Sequence, residues 1–167
     1  MSPTAAISAT ASVPSIYRFV LTTLEPLFAL SGALMTLGRP DSYAATMTRG
    51  AVPYTADTQF LYTQLGGAWL HFAFNAAVVM RLFDDLRLWR WLCAGMLLSD
   101  VAYWHSAAQA VGGWAAWAVL ADWTSNDWVV FATNLLTISV RILILLGVGV
   151  KSGGSGDGIG LVGKAKK

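Results

Sequence analysis

The chain has 167 residues, of which 56% are hydrophobic and 12% are charged, with a formal net charge of +2. A soluble domain carries about 25% charged residues, so this composition excludes a soluble globule. The single cysteine, Cys93, excludes an internal disulfide and a cysteine-based zinc site. We therefore expect one membrane domain, an all-α, four-helix transmembrane bundle.

The first apolar stretch, residues 17–37, is long enough to cross a bilayer and contains Glu25-Pro26. Pro26 cannot donate a hydrogen bond to the carbonyl four residues earlier, so a local kink is expected. Residues 1–16 before it are small and polar, and we expect a disordered arm. Residues 38–58 after it form a predicted loop, with a short interfacial helix over residues 42–47.

The second predicted span, residues 59–80, carries no formal charge but has a polar stripe formed by Gln64, His71 and Asn75. Offsets of 7 and 11 residues place these side chains within about 40° of one another on a helix. Such a stripe is expected to face protein, because lipid cannot satisfy polar groups. A short, charged loop, residues 81–90, follows.

The third predicted span, residues 91–112, contains Asp100, with Tyr103 and Trp104 three and four residues later on the same face. The fourth, residues 128–150, places Asn134 and Arg141 on one face. Residues 151–167 are glycine-rich and basic, which predicts a flexible tail that contacts anionic lipid.

The positive charges indicate an orientation. Eight Lys and Arg residues lie on the side that would hold both termini, whereas two lie on the other side. Cytosolic loops carry this excess, so both termini are expected to be cytosolic. The third loop, residues 113–127, is rich in tryptophan, as expected at a membrane boundary. We expect the endoplasmic reticulum membrane as the location.

Each predicted span supplies one ionisable residue at the same depth. Glu25, His71, Asp100 and Arg141 lie eight or nine residues from the cytosolic end of their spans, which is about 12–14 Å. A purely structural layer needs one acid to neutralise Arg141, but two acids are present. A surplus buried carboxyl favours its protonated form, which suits a general acid or a proton relay.

Several short stretches together resemble an uncharacterised fungal family of small four-helix integral membrane proteins, a domain of unknown function. The resemblance covers residues 17–150 and is carried by the following stretches: Tyr17-Arg18, Glu25-Pro26-Leu27, Gln64-Leu65, residues 81–89, Ser99-Asp100, residues 123–128, and Arg141 with Gly147. It implies a fungal origin, and some members are expected in secondary-metabolite pathways. Membrane-bound fungal terpene cyclases and emopamil-binding sterol isomerases are analogies only, since this chain is at least one span shorter.

These patterns favour a cofactor-independent membrane enzyme for proton-initiated cyclisation or isomerisation of a lipophilic metabolite, terpenoid or polyketide. Glu25 or Asp100 would be the acid, His71 the relay or base, and Arg141 the charge partner. The expected substrate-binding residues are Gln64, Asn75, Tyr103, Trp104 and Asn134.

Two alternatives stay open: a non-enzymatic lipid-binding, sterol-binding or pathway-scaffolding protein, and a small proton-coupled carrier. No motif indicates a metal site, a cofactor or a nucleic-acid partner. The bilayer and a lipophilic small molecule are the expected partners, with a second copy of the chain or a pathway enzyme as further alternatives.

Overall fold

A computed structural model describes residues 6–151, and its regular elements in that part of the chain are all helices. Four helices are long: α2 (Ser15–Gly38), α4 (Ala56–Leu82), α5 (Leu86–Ala110) and α7 (Ser125–Leu146). Three α-helices are short: α1 (Ala9–Ser12), α3 (Pro40–Thr48) and α6 (Trp114–Trp117). A single 3-10 turn over Leu120–Asp122 lies between α6 and α7.

Three of the long helices, α2, α4 and α7, are long and apolar enough to cross a membrane. The third long helix, α5, is not among them. It begins at Leu86, inside the predicted charged loop, and so includes Arg87 and Arg90. Asp85 fixes this start, because its carboxylate accepts a hydrogen bond from the backbone N–H of Arg87 at 2.8 Å.

The expected distortion around Pro26 takes the form of a π turn over Val20–Leu24. There the N–H of Glu25 donates to the carbonyl of Val20, five residues back. The wider turn accommodates a proline that lacks its own N–H, and α2 continues to Gly38. Glu25 therefore lies at the junction between two helical geometries.

Helix α4 packs along α2 through glycines. A Cβ added at Gly32 would lie 3.1 Å from the indole of Trp69, and one at Gly66 would lie 2.5 Å from side-chain atoms of Leu37. Small residues at these points let the two helices approach closely, as they do between helices of membrane proteins.

The predicted disordered arm is wrong for the part of it that the structure describes. Residues 9–12 form α1, and Ala9, Ser12 and Val13 are buried. Asp84 accepts hydrogen bonds from the Ser8 hydroxyl and the Thr10 N–H, both at 2.6 Å. No local pattern indicates this partner, because Asp84 lies far along the chain. Residues 1–5 of the arm, and residues 152–167 of the predicted tail, lie outside the described residues.

The hydrophobic core occupies the end of the molecule that holds both described chain ends. There the N–H of Leu86 donates to the carbonyl of Ile7, and that of Lys151 donates to the carbonyl of Ser12, both at 2.9 Å. The buried apolar residues of this core are Ala9, Val13, Val20, Leu21, Met80, Leu86, Trp89, Cys93, Val140 and Ile144.

The opposite end is organised by α3 and the start of α7. Thr124 and Asp127 form a capping box at the N-terminus of α7. Asp127 also accepts a hydrogen bond from Arg49, just after α3, at 3.1 Å. Helix α7 begins at Ser125 and ends at Leu146, and its C-cap, Gly147, has a left-handed φ of 74°. It is therefore shifted toward the N-terminus relative to the predicted span 128–150.

Candidate ligand-binding cleft

Three helices place one charged side chain each at the same level, where the hydrophobic core ends. Arg141 of α7 donates from Nη2 to Oε1 of Glu25 on α2 and from Nη1 to Oδ2 of Asp100 on α5. The exposed fractions are 2% for Arg141, 4% for Glu25 and 7% for Asp100. We call these three residues the ionic cluster.

The ionic cluster contains more acid than base. With both carboxyls ionised it carries one net negative charge, and the second oxygen of Glu25, Oε2, is buried without a hydrogen-bond partner. An unpaired buried charge is costly. A second acid beyond the one that Arg141 needs therefore calls for a proton or a bound partner.

A cleft of about 600 Å³ opens directly above the ionic cluster, away from the core. Its buried floor is formed by Glu25, Ala29, Asp100, Thr137 and Arg141. Its rim is formed by exposed and mostly small residues, so the cleft is open at the surface of the protein. The rim residues are Ser31, Ala68, Ser99, Ala102, Ser106, Asn126 and Val129. The volume falls within the range of sites for small lipophilic ligands, about 300–1,000 Å³.

Aromatic side chains form one wall of the cleft. Trp69 and Tyr103 meet edge to face with their ring centroids 5.7 Å apart, and the Tyr103 hydroxyl contacts the sulfur of Met47 at 3.6 Å. The aromatic residues that line the cleft are Phe28, Tyr43, Trp69, Phe72 and Tyr103.

The wall formed by α7 is less polar than its sequence suggests. The Asn134 amide donates to the carbonyl of Val130 at 2.9 Å, and the Thr137 hydroxyl donates to the carbonyl of Asn134 at 3.0 Å. Because these donors bond to their own helix, Asn134 and Thr137 do not offer them to a ligand. The polar groups left for a ligand include the ionic cluster and the indole N–H of Trp69, which is buried without a hydrogen-bond partner.

The structure brings together three of the four residues expected at one depth and leaves His71 out. His71 is exposed and its Nε2 lies 2.9 Å from the side-chain nitrogen of Asn75. Helix α4 packs through Gly66 and Ala73, and Ala73 is about 160° around the helix from His71. The distance of His71 from the end of its span predicts its depth, but the side of α4 on which its side chain lies depends on how that helix packs.

Of the five predicted substrate-binding residues, two line the cleft and three do not. Tyr103 and Asn134 line the cleft. Trp104 lines a separate space of about 30 Å³ and packs on Trp117 with centroids 5.5 Å apart. Gln64 is exposed and does not line the cleft, and Asn75 is outside it as well. The expected protein-facing stripe is therefore not covered within one copy of the chain.

Sequence reasoning missed most of the aromatic wall. Trp69 is not among the predicted site residues, and Tyr43 lies in the predicted interfacial helix over residues 42–47, which the structure shows as part of α3. A usable signal was the apolar stripe Leu65-Trp69-Phe72, which has helical spacing and runs beside the polar one. Nothing in the sequence indicated that α3 would fold over this stripe and contribute Tyr43 and Met47.

Over residues 6–151, the fold and the site define an all-helical protein with three helices long and apolar enough to span a membrane and a cleft that ends at a buried ionic cluster. Among residues 6–151, no three His, Cys, Asp or Glu side chains come together as a metal site would require. The chain belongs to the family described as domain of unknown function DUF7704, whose model matches residues 10–151. No curated protein and no solved structure matches the chain.

Proposed function

We propose that the protein binds a lipophilic small molecule in the cleft and that a carboxyl of the ionic cluster starts its isomerisation or cyclisation by donating a proton. One observation carries this proposal: an acid with an unpartnered buried oxygen, Glu25, lies at the closed end of a 600 Å³ cleft. Glu25 is the acid in this scheme, and Asp100 stays ionised beside Arg141.

The proton balance of the reaction is simple. The O–H bond of the Glu25 carboxyl breaks as a new bond forms between that proton and an alkene carbon or an epoxide oxygen of the substrate. In an alkene, the π bond breaks and supplies the electron pair of the new C–H bond; in an epoxide, a ring C–O bond breaks and its electron pair stays on the oxygen, which becomes a hydroxyl. The resulting carbocation lies between the Glu25 carboxylate and the aromatic wall, both of which favour positive charge. A proton from a neighbouring C–H bond then returns to Glu25. No step uses His71.

We further propose that α5 also spans the membrane, which gives four spans with both termini on the cytosolic side. Two observations support this topology. Helix α5 has 25 residues, about 37 Å, and both described chain ends bond to one another at the same end of the molecule. Three spans alone would separate them. Arg18, Arg81, Arg87, Arg90 and Lys151 lie at or beside this end, consistent with a cytosolic side.

The class of substrate is part of the proposal. The resemblance described above suggests fungal secondary metabolism, and we propose that the substrate is a terpenoid or polyketide and that the protein acts on it in the endoplasmic reticulum. The aromatic, largely apolar lining is compatible with such a molecule.

Expression of variants in a host that makes lipophilic metabolites tests the chemistry. Glu25→Gln removes the acid, and Asp57→Asn removes an exposed carboxylate outside the cleft as a matched control. With equal protein levels, we expect wild type and Asp57→Asn to convert one metabolite and Glu25→Gln to leave it unconverted. Undiminished conversion by Glu25→Gln would refute the role of Glu25 as the acid.

A second candidate function is binding without chemistry, as a lipid or sterol carrier subunit or a pathway scaffold. The observation that favours it is that both carboxyls already contact Arg141. Under this alternative, wild type and Glu25→Gln retain the same unconverted molecule. The third possibility, a proton-coupled carrier, needs a path beyond the floor, where buried core residues lie.

A further inference from the structure

We infer that the cleft accepts lipophilic amines, bound with a protonated nitrogen against Glu25 and the hydrocarbon part along the aromatic wall. This inference names a ligand class for the cleft and therefore rests on the proposed function. Three features carry it: the charge of the ionic cluster, the free oxygen of Glu25 and the composition of the wall.

The charge of the cleft selects for a cation. Among the acids and bases that line it, Glu25 and Asp100 are opposed by Arg141 alone. A neutral ligand leaves this imbalance in place, or requires one carboxyl to stay protonated. A single positive charge on the ligand balances it, which lowers the cost of holding both carboxylates in a buried site.

The geometry gives the cation a specific partner. Oε1 of Glu25 accepts from Arg141, whereas Oε2 is buried and has no partner. Oε2 is shielded from solvent in the unliganded structure, so an ammonium N–H that donates to it requires a small rotation of the Glu25 carboxyl, with Oε1 remaining on Arg141. If the amine arrives as the free base and Glu25 is protonated, the carboxyl O–H bond breaks, an N–H bond forms, and the same ion pair results.

The wall suits the rest of such a molecule. Ring faces attract cations, and Trp69 is the strongest such partner among aromatic side chains. The five aromatic residues of the wall also offer a long apolar surface for an alkyl chain. A bound ammonium thus occupies the place that the proposed function assigns to a carbocation.

Direct binding to the purified full-length protein in lipid nanodiscs tests this inference. The probes are N,N-dimethyldodecylamine and the uncharged 1-tetradecanol, each radiolabelled and corrected for uptake by empty nanodiscs. We expect wild type and Asp57→Asn to bind the amine about tenfold more tightly than the alcohol, as for one hydrogen bond to a charged group. Glu25→Gln should lose this preference and keep its affinity for the alcohol.

Two results would overturn the inference: equal affinity of wild type for both probes, or an unchanged preference in Glu25→Gln. If Glu25→Gln does not fold, Asp100→Asn removes the same single charge and is judged by the same criterion.

A pair of bulky variants separates failure of this inference from failure of the cleft. Ala102 lies on the rim of the cleft, whereas its neighbour Val101 is 71% exposed and does not line it. If Ala102→Trp abolishes binding of both probes and Val101→Trp does not, the cleft binds ligands even where the amine is not preferred. If Ala102→Trp changes neither, the proposed function fails together with the inference.

Discussion

At the scale of single residues, Arg141 holds the site together because it is the one base between two acids in the ionic cluster. Loss of either acid leaves a balanced ion pair, whereas loss of the arginine leaves two buried carboxyls facing each other. This asymmetry predicts that Arg141 contributes more to the stability of the fold than either acid does.

We therefore expect Arg141→Met to lower the free energy of unfolding by about 3–5 kcal/mol, the usual cost of breaking a buried ion pair from one side. Glu25→Gln and Asp100→Asn should each cost much less, because Arg141 keeps one carboxylate partner. Denaturant unfolding of the purified variants in detergent measures the difference. An equal decrease in the free energy of unfolding in all three variants would mean that the ionic cluster serves only to stabilise the fold.

His71 tests whether the side of the helix on which a residue lies, and not only its depth in the bundle, decides its role. Because its side chain lies outside the cleft, His71→Leu should leave ligand binding and product formation within about twofold of wild type. A measurement of both on the purified variant is sufficient. If His71→Leu lost as much binding or product formation as Glu25→Gln, His71 would belong to the site, contrary to the position of its side chain in the structure.

At the scale of elements, the contact between α2 and α4 depends on which glycine faces the partner helix. A Cβ at Gly66 would lie 2.5 Å from Leu37 and 3.0 Å from the Thr36 hydroxyl, whereas a Cβ at the adjacent Gly67 meets nothing within 4 Å. Overpacking typically costs about 1–3 kcal/mol, while alanine in an open helical position gains up to about 1 kcal/mol over glycine.

Gly66→Ala should therefore be less stable than Gly67→Ala by about 1–3 kcal/mol in thermal or denaturant unfolding. Both variants change the same residue type in the same helix, so propensity cancels in the comparison. Equal stability of the two would show that α2 and α4 do not approach as closely as the structure has them.

The contact of Ser8 and Thr10 with Asp84, which holds the N-terminal segment in place, is expected to depend on pH. The hydroxyl of Ser8 and the N–H of Thr10 stabilise the charged form of Asp84 and hold its pKa below the usual range. Because the pKa is lower in the folded state, the stabilisation is present above the ordinary carboxyl pKa of about 4 and is lost as pH falls toward the lowered one.

Hydrogen exchange at the Leu86 amide, which bonds to Ile7 in the docked arm, reports this docking. Asp84→Asn should make that amide exchange faster at neutral pH, and wild type should lose its protection only in acid. Identical protection in both proteins would show that Asp84 does not hold the arm.

Sequence alone could predict the helices and the level of the charged residues, because periodicity and distance from span ends are local properties. Glu25, Asp100 and Arg141 were found in this way. The direction of His71 and the contribution of Tyr43 could not be predicted, since they depend on how α4 is rotated against α2 and how α3 folds back. The contact of Asp84 with Ser8 joins residues 76 apart, and no local pattern indicates it.

At the scale of the whole molecule, one end is filled by the hydrophobic core and the other half encloses the cleft, with the ionic cluster between them. This division explains how a small helical protein can hold two buried acids: they form the floor of a space that a ligand can fill. We propose, above all, that a lipophilic molecule occupies the cleft when the protein is in the membrane.

Native mass spectrometry of the protein purified from its own membranes tests that claim most directly, with Ala102→Trp and Val101→Trp as the blocking and control variants. We predict that wild type and Val101→Trp carry the same small lipophilic molecule and that Ala102→Trp lacks it. The same molecule at the same occupancy in Ala102→Trp would contradict the account.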